Sequence, residues 1–123
     1  MFKKNQFYTR IEIAEEVGGG GLQDCLVHSG GRVIAICMRK DMNPDAPDIL
    51  LVGTGPDKQR YSKFLCEFQL NDSIPIFTKT DSGWKSHGYF KVKNFSVDAN
   101  LIKKHESQSG RNDVKMVIEF MEA

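Results

Sequence analysis

Ile49-Leu50-Leu51-Val52-Gly53-Thr54-Gly55-Pro56, continuing to Tyr61-Ser62-Lys63-Phe64-Leu65-Cys66-Glu67-Phe68, is the stretch on which the fold class turns. Four consecutive apolar residues bounded by turn signals have the pattern of a short strand covered on both faces. Gly53, Gly55 and Pro56 then turn the chain, and Pro56 suits the first position of a helix, where its missing N–H costs nothing. Tyr61, Phe64, Leu65 and Phe68 fall at i, i+3, i+4 and i+7, one face of an amphipathic helix. A buried strand thus feeds a surface helix.

Upstream, Val33-Ile34-Ala35-Ile36-Cys37-Met38 is a second near-continuous apolar run and a second strand of the buried type. The polar loop from Arg39 to Asp48, pinned by Pro44 and Pro47, joins the two strands. Nearer the start, Thr9-Arg10-Ile11-Glu12 has the spacing of a capping box. It predicts a short helix to about Val17, with Ile11, Ala14 and Tyr8 facing inward. Gly18 to Gly21 end it, because further helix through consecutive glycines is entropically costly. Met1 to Phe7 reads as a tail.

Downstream, Ile74 to Thr78 is a short strand and Thr80-Asp81-Ser82-Gly83 a hairpin-type turn. A longer strand runs from Trp84 to about Val97, a helix capped by Asp98 runs to Gln108, and Val114 to Phe120 closes the chain as a strand. This order predicts one α+β domain over residues 1–123. Its expected form is a strongly curved mixed β-sheet or open barrel with two or three outer helices.

Composition narrows the function. The chain has 123 residues, of which 40% are hydrophobic and 27% charged, with a net charge of +1. Such a balance argues against wholesale disorder and against histone-like binding through bulk charge. Cys25, Cys37 and Cys66 are odd in number and widely spaced, and read as buried, reduced thiols in a cytoplasmic protein without a leader segment. No apolar run reaches the roughly 18 residues of a membrane span.

His28, His87 and His105 show none of the usual zinc spacings, and no Cys-x-x-Cys pair exists. No Gly-x-Ser-x-Gly elbow or Ser-x-x-Lys pair is present. Gly53-Thr54-Gly55 lies where backbone amides can hold a phosphate, but lacks the Gly-Lys-Ser/Thr ending of a phosphate loop; a plain turn is the other reading. The expectation is a binding protein without catalytic residues, metal or cofactor.

Two stretches are candidates for binding. Strict alternation along the strand from Trp84 puts Lys85, His87, Tyr89, Lys91 and Lys93 on one face, with Trp84, Ser86, Gly88, Phe90 and Val92 on the other. From Lys85 to Lys104 five lysines stand against one carboxylate, Asp98. A basic face carrying an aromatic suits nucleic acid, with cations on phosphates and a ring for stacking. Lysines that discourage edge-to-edge strand pairing explain the same face. The Arg39 to Asp48 loop is rich in groups that read polar base edges, and a structural loop of Asx turns explains it equally well.

These residues also carry a resemblance. Tyr8-Thr9-Arg10-x-Glu12-Ile13, the glycine cluster, Asn43-Pro44-Asp45-Ala46-Pro47 and Val52-Gly53-x-Gly55-Pro56 occur in that order. Ile74-Pro75-Ile76-Phe77-x-Lys79 and Trp84-x-x-x-Gly88-Tyr89-Phe90 follow. The chain from about Tyr8 to Phe120 resembles the SRA-like domain, of the PUA-like superfamily, found in McrA-type modification-dependent restriction endonucleases. The resemblance implies a curved, barrel-like sheet and a DNA-binding module that recognises a modified cytosine, such as 5-methylcytosine or 5-hydroxymethylcytosine, by base flipping.

It further implies Tyr89 or Trp84 as the stacking ring, with Asp41, Asn43, Asp45 and Asp48 around the base. Arg39, Lys85, His87, Lys91, Lys93 and Arg10 would hold the phosphate backbone. Trp84 has a second reading as a core residue, given its large apolar surface. The HNH nuclease of those enzymes has no counterpart in this sequence, so cleavage in restriction or defence would fall to a nuclease partner or domain. The alternatives are a PUA-like RNA-binding module, a small nucleotide-acting enzyme built around Gly53 to Pro56 and His87, and a protein-interaction module.

Overall fold

In the computed structural model, which describes residues 1–123, the sheet is organised by its longest strand. In chain order the elements are β1 (Phe7–Tyr8), α1 (Arg10–Val17), β2 (Leu26–Ser29), β3 (Arg32–Met38), β4 (Ile49–Val52) and α2 (Pro56–Phe68). They continue with β5 (Ile74–Thr80), β6 (Gly83–Ser96), α3 (Ala99–Ser109) and β7 (Met116–Glu122). The seven-stranded sheet has the order β2-β3-β5-β6-β7-β4, with β1 paired to the start of β6. Only β3 and β5 run parallel. The fold is α+β, and the mixed sheet is strongly curled into a half-barrel with three helices.

Curling leaves β2 and β4 as edges, and α2 packs across β2, β3 and β4. The enclosed core includes Ile36, Met38, Leu50, Leu65, Ile76 and Ile118. On the other sheet face Ala35, Cys37 and Phe77 pack with Ile13 of α1 and with Phe2. Strand β3 is therefore covered on both sides, which is why its apolar run is continuous rather than alternating. Leu51, Val114 and Val117 form a third cluster beneath Leu101 and Ile102 of α3.

Local signals set the helix ends. The Thr9 hydroxyl accepts from the Glu12 amide at 3.1 Å while the Glu12 carboxylate accepts from the Thr9 amide at 2.9 Å, the reciprocal capping box. Asp98 accepts from the Leu101 amide at 3.0 Å and starts α3.

Several expectations are corrected. The first residues are not a tail: Phe2 is buried with edge-on contacts to Tyr8 and Phe77, and residues 5 and 6 exchange backbone hydrogen bonds with Ser86. Ile11 points outward at 59% exposure and Ile13 is the anchor of α1, because the helix docks on Val27, Ala35 and Phe77. On α2 the buried face is Tyr61, Ser62, Leu65 and Cys66, leaving Phe68 exposed. Strand β2 has no apolar alternation to announce it and forms by pairing with β3.

The two-faced reading of β6 is also overturned. Pro75 and Phe77 of β5 oppose Tyr89 and Ser86 of β6, so β6 carries one extra residue at His87-Gly88. Gly88 has φ +87°, the left-handed value that such a bulge requires and glycine supplies without strain. The bulge reverses the alternation. Lys85 and His87 share a face with Phe90 and Val92, while Tyr89 and Lys91 share the face of Trp84 and Ser86. A second shift between Val92 and Asn94 places Lys93 as an extra residue, where it pairs with Glu119 at 3.7 Å. No single basic face exists.

Candidate functional site

The largest cleft, about 790 Å³, opens where the sheet fails to close. Its walls come from the entry to β2 (Cys25, Leu26), the exit of β3 (Cys37, Arg39), β4 and the residue after it (Leu50 to Gly53) and the β5–β6 hairpin (Lys79, Trp84). Arg10 of α1, Leu22 and Gln23 before β2, Lys58 of α2, Arg111 and the loop residues Asp41, Met42 and Asn43 complete it. Five lining side chains are cationic and one is acidic, against +1 for the whole chain.

The wall along β4 is built by satisfying an exposed strand edge. Leu50 and Val52 pair with β7, which turns the N–H and C=O of Leu51 outward. Asn43, itself buried, accepts from the Leu51 amide at 2.9 Å and donates to the Arg39 carbonyl at 3.3 Å. Arg111 donates to the Leu51 carbonyl at 2.9 Å and to the Met42 carbonyl at 3.0 Å. Both edge groups are thereby paired, and further strands cannot add there.

Arg111 also forms a two-point pair with Asp113, at 2.9 and 3.1 Å, and its side chain is only 8% exposed. The Arg111 hydrogen bonds hold the Asp113 carboxyl below its usual range. This pair lies directly over Gly53: a Cβ there would sit 2.6 Å from Asp113 Oδ2 and 2.7 Å from Arg111 Nη2. Gly53 is a close-approach glycine rather than a phosphate-loop glycine.

Trp84 is half-buried. It packs against the Ile13–Phe77 cluster and also lines the cleft. The Arg10 guanidinium lies 5.1 Å from the indole centroid and donates to the carbonyls of Gly21 (3.1 Å) and Asp24 (2.8 Å). Arg10 thus fixes the indole while keeping its charge at the cleft wall, since carbonyl partners do not neutralise it.

Of the sequence-derived candidates, Trp84, Asp41, Asn43, Arg39 and Arg10 meet in this cleft. Asp41 faces Arg39 at 3.3 Å in an exposed pair, and Asn43 is committed to backbone groups. Tyr89 lies elsewhere, packed on the second cluster with its hydroxyl accepting from the Phe2 amide at 3.1 Å. Asp45 lines a separate hollow with His105 and Ser109, Asp48 is exposed, and Lys91 and Lys93 are outside the cleft.

Lys85 and His87 stand on the opposite sheet face, where His87 Nε2 lies 2.7 Å from Thr78 Oγ1. Burial, then the positive charge of Lys85, pushes the His87 pKa below the usual imidazole value, with Lys40 and Lys4 adding to the effect and Asp48 opposing it. A neutral ring hydrogen-bonded to a threonine is a poor phosphate anchor at neutral pH.

Sequence reasoning missed Lys58, Lys79 and Arg111. Lys79 was visible as the last residue of the Ile74-Pro75-Ile76-Phe77-x-Lys79 stretch, but nothing local ties Lys58 or Arg111 to a site. The thiols add no chemistry: burial pushes Cys25 up to about 11 and Cys37 to about 12, so both stay protonated. No group of three or more His, Cys, Asp or Glu residues is arranged to hold a metal ion, and no helix is long and apolar enough to cross a membrane.

The fold and cleft define a class, an α+β half-barrel with a cationic, tryptophan-lined cleft at its seam. Comparison with known proteins finds no matching family model, no matching curated protein and no matching solved structure.

Proposed function

We propose that the chain is an SRA-like DNA-binding module that takes a modified cytosine, extruded from the duplex, into the seam cleft, and that it serves cytoplasmic restriction or defence alongside a nuclease. The observation that carries this reading is the joining of Trp84, its Arg10 support and a strong excess of cations in one cleft. Its volume falls in the roughly 300–1,000 Å³ range of small-ligand sites. A base entering it meets an aromatic surface, and the surrounding cations meet the strand. Extrusion costs a few kcal/mol, which stacking and hydrogen bonds must recover. The protonated thiols and the committed Asn43 and Arg111 fit a binding site rather than a reaction centre.

A binding panel of duplexes carrying cytosine, 5-methylcytosine or 5-hydroxymethylcytosine tests the reading. One modified duplex is expected to bind more tightly than the unmodified one, with affinity falling steeply as salt rises. Stacking on an aromatic is worth about 1–3 kcal/mol per base, so Trp84→Ala should weaken the modified duplex by roughly 5- to 150-fold, and Trp84→Phe by less. Tyr89→Ala, outside the cleft, should leave this discrimination unchanged in protein that remains folded. Equal affinity for all three duplexes would remove modified-base reading. Tighter binding of RNA in direct competition would favour the RNA-binding alternative.

A further inference from the structure

The cleft holds more positive charge than its internal contacts use. Arg111 is neutralised by Asp113, Arg10 is held against Trp84, and Arg39 faces Asp41. Lys58 and Lys79 remain; both are exposed, line the cleft and form no ion pair. Lys58 is the third residue of α2, at the positive end of the helix dipole; Asp57 beside it and the field of Asp113 offset part of its charge, but neither forms an ion pair with it. Lys79 is the direct cross-strand partner of Trp84, so its stem starts roughly 5 Å from that of the indole. An ammonium beside an aromatic ring, with a second ammonium from α2 lining the same cleft, suits a planar group that carries one anionic substituent.

We propose that Lys58 and Lys79 form a phosphate clamp, so that the cleft takes a nucleoside monophosphate unit with its heterocycle against Trp84 and its phosphate on the two ammonium groups. The unit is either a free mononucleotide or one nucleotide of a strand. This rests on the cleft being the ligand site, as read above, and requires neither a modified base nor a duplex.

Trp84 is the only tryptophan, so its fluorescence reports directly on the cleft. Parent protein and the Lys58→Gln/Lys79→Gln variant are titrated with deoxycytidine, deoxycytidine monophosphate, and a short cytosine-containing oligonucleotide, with inorganic phosphate as competitor. Both lysines are exposed, so the variant should keep the parent melting temperature. At least one phosphate-bearing probe is expected to saturate roughly tenfold or more tightly than deoxycytidine, as loss of charge-assisted hydrogen bonds dictates. The variant should lose that advantage while binding deoxycytidine as the parent does.

Saturation by the monophosphate, displaced by inorganic phosphate, assigns a free nucleotide; saturation by the oligonucleotide alone assigns a strand. The proposal is overturned if phosphate-bearing probes bind no better than deoxycytidine, if the variant retains parent affinity, or if no probe saturates. Loss of modified-duplex discrimination with the lysine effect intact would overturn the base-reading function and leave the clamp standing.

Discussion

Arg111→Met is expected to lower the unfolding free energy by about 1–3 kcal/mol, the cost of leaving its carbonyl partners without a donor, with little added by Asp113, whose carboxylate is 35% exposed. The side chain is nearly fully buried and makes two bonds to Asp113 and one each to the carbonyls of Met42 and Leu51. Methionine keeps much of the volume, but leaves a carboxylate without its cation and two carbonyls without their donor. Urea unfolding measures the loss; a change below about 1 kcal/mol would mean that water replaces the guanidinium at little cost. The same substitution frees the edge of β4, so it should also increase concentration-dependent self-association.

The pair gives stability a pH dependence with a definite sign. The Asp113 pKa is lowered in the folded protein from its ordinary value of 3.8. Its contribution is therefore fully present above the ordinary carboxylate range and is lost as pH falls through the depressed folded value. The stability difference between the parent and Asp113→Asn should be constant above about pH 5 and should shrink as the medium is acidified below that.

Gln69→Leu is the second large effect, with an expected loss of about 2–5 kcal/mol from two buried backbone groups left unpaired. Gln69 is 1% exposed. Its carbonyl oxygen accepts from the Val33 amide and its amide nitrogen donates to the Val33 carbonyl, each at 2.9 Å. Strand β5 pairs with β3 only from Ile36 to Met38, so at Val33 a side-chain amide takes the place of the neighbouring strand. The same nitrogen reaches Asp72 at 3.0 Å, and Asp72 pairs with Arg32 at the start of β3. Leucine fills the space without either hydrogen bond. Equilibrium unfolding gives the loss, and hydrogen exchange at Val33 should accelerate by at least the same factor; unchanged protection there would show that the amide does not depend on Gln69.

Gln69 also shows where sequence reasoning stops. A glutamine one residue past an amphipathic helix reads as a surface residue, and nothing local says that its amide completes a sheet 36 residues away in the chain. Asn43 was legible as a loop residue, but its partner at Leu51 was not, because the pairing depends on which side of β4 faces β7. The β6 surface was misread for a related reason. Alternation is a reliable count only while the ladder is regular, and one extra residue at His87-Gly88 exchanges the faces of everything beyond it. Gly88 in the middle of a strand was the signal for that bulge.

The seam cleft was half legible. Arg10, Arg39, Asp41, Asn43 and Trp84 were chosen from three separate segments and do converge. Strict alternation puts Lys85, His87 and Tyr89 on one face opposite Trp84; Lys85 and His87 do stand on that face, away from the ring, and the bulge carries Tyr89 to the face of Trp84 but outside the cleft.

By itself the sequence determined what local forces control: the two-sided strand at Val33–Met38, the Thr9 and Asp98 caps, the Pro56 helix start and the α+β class. These follow from side-chain period, capping chemistry and backbone freedom, each decided within a few residues. Only the tertiary structure decided where the sheet stops closing, which cations remain unpaired there, and which face of β6 meets the core. Those depend on strand order and register between segments far apart in the chain, which no local pattern records.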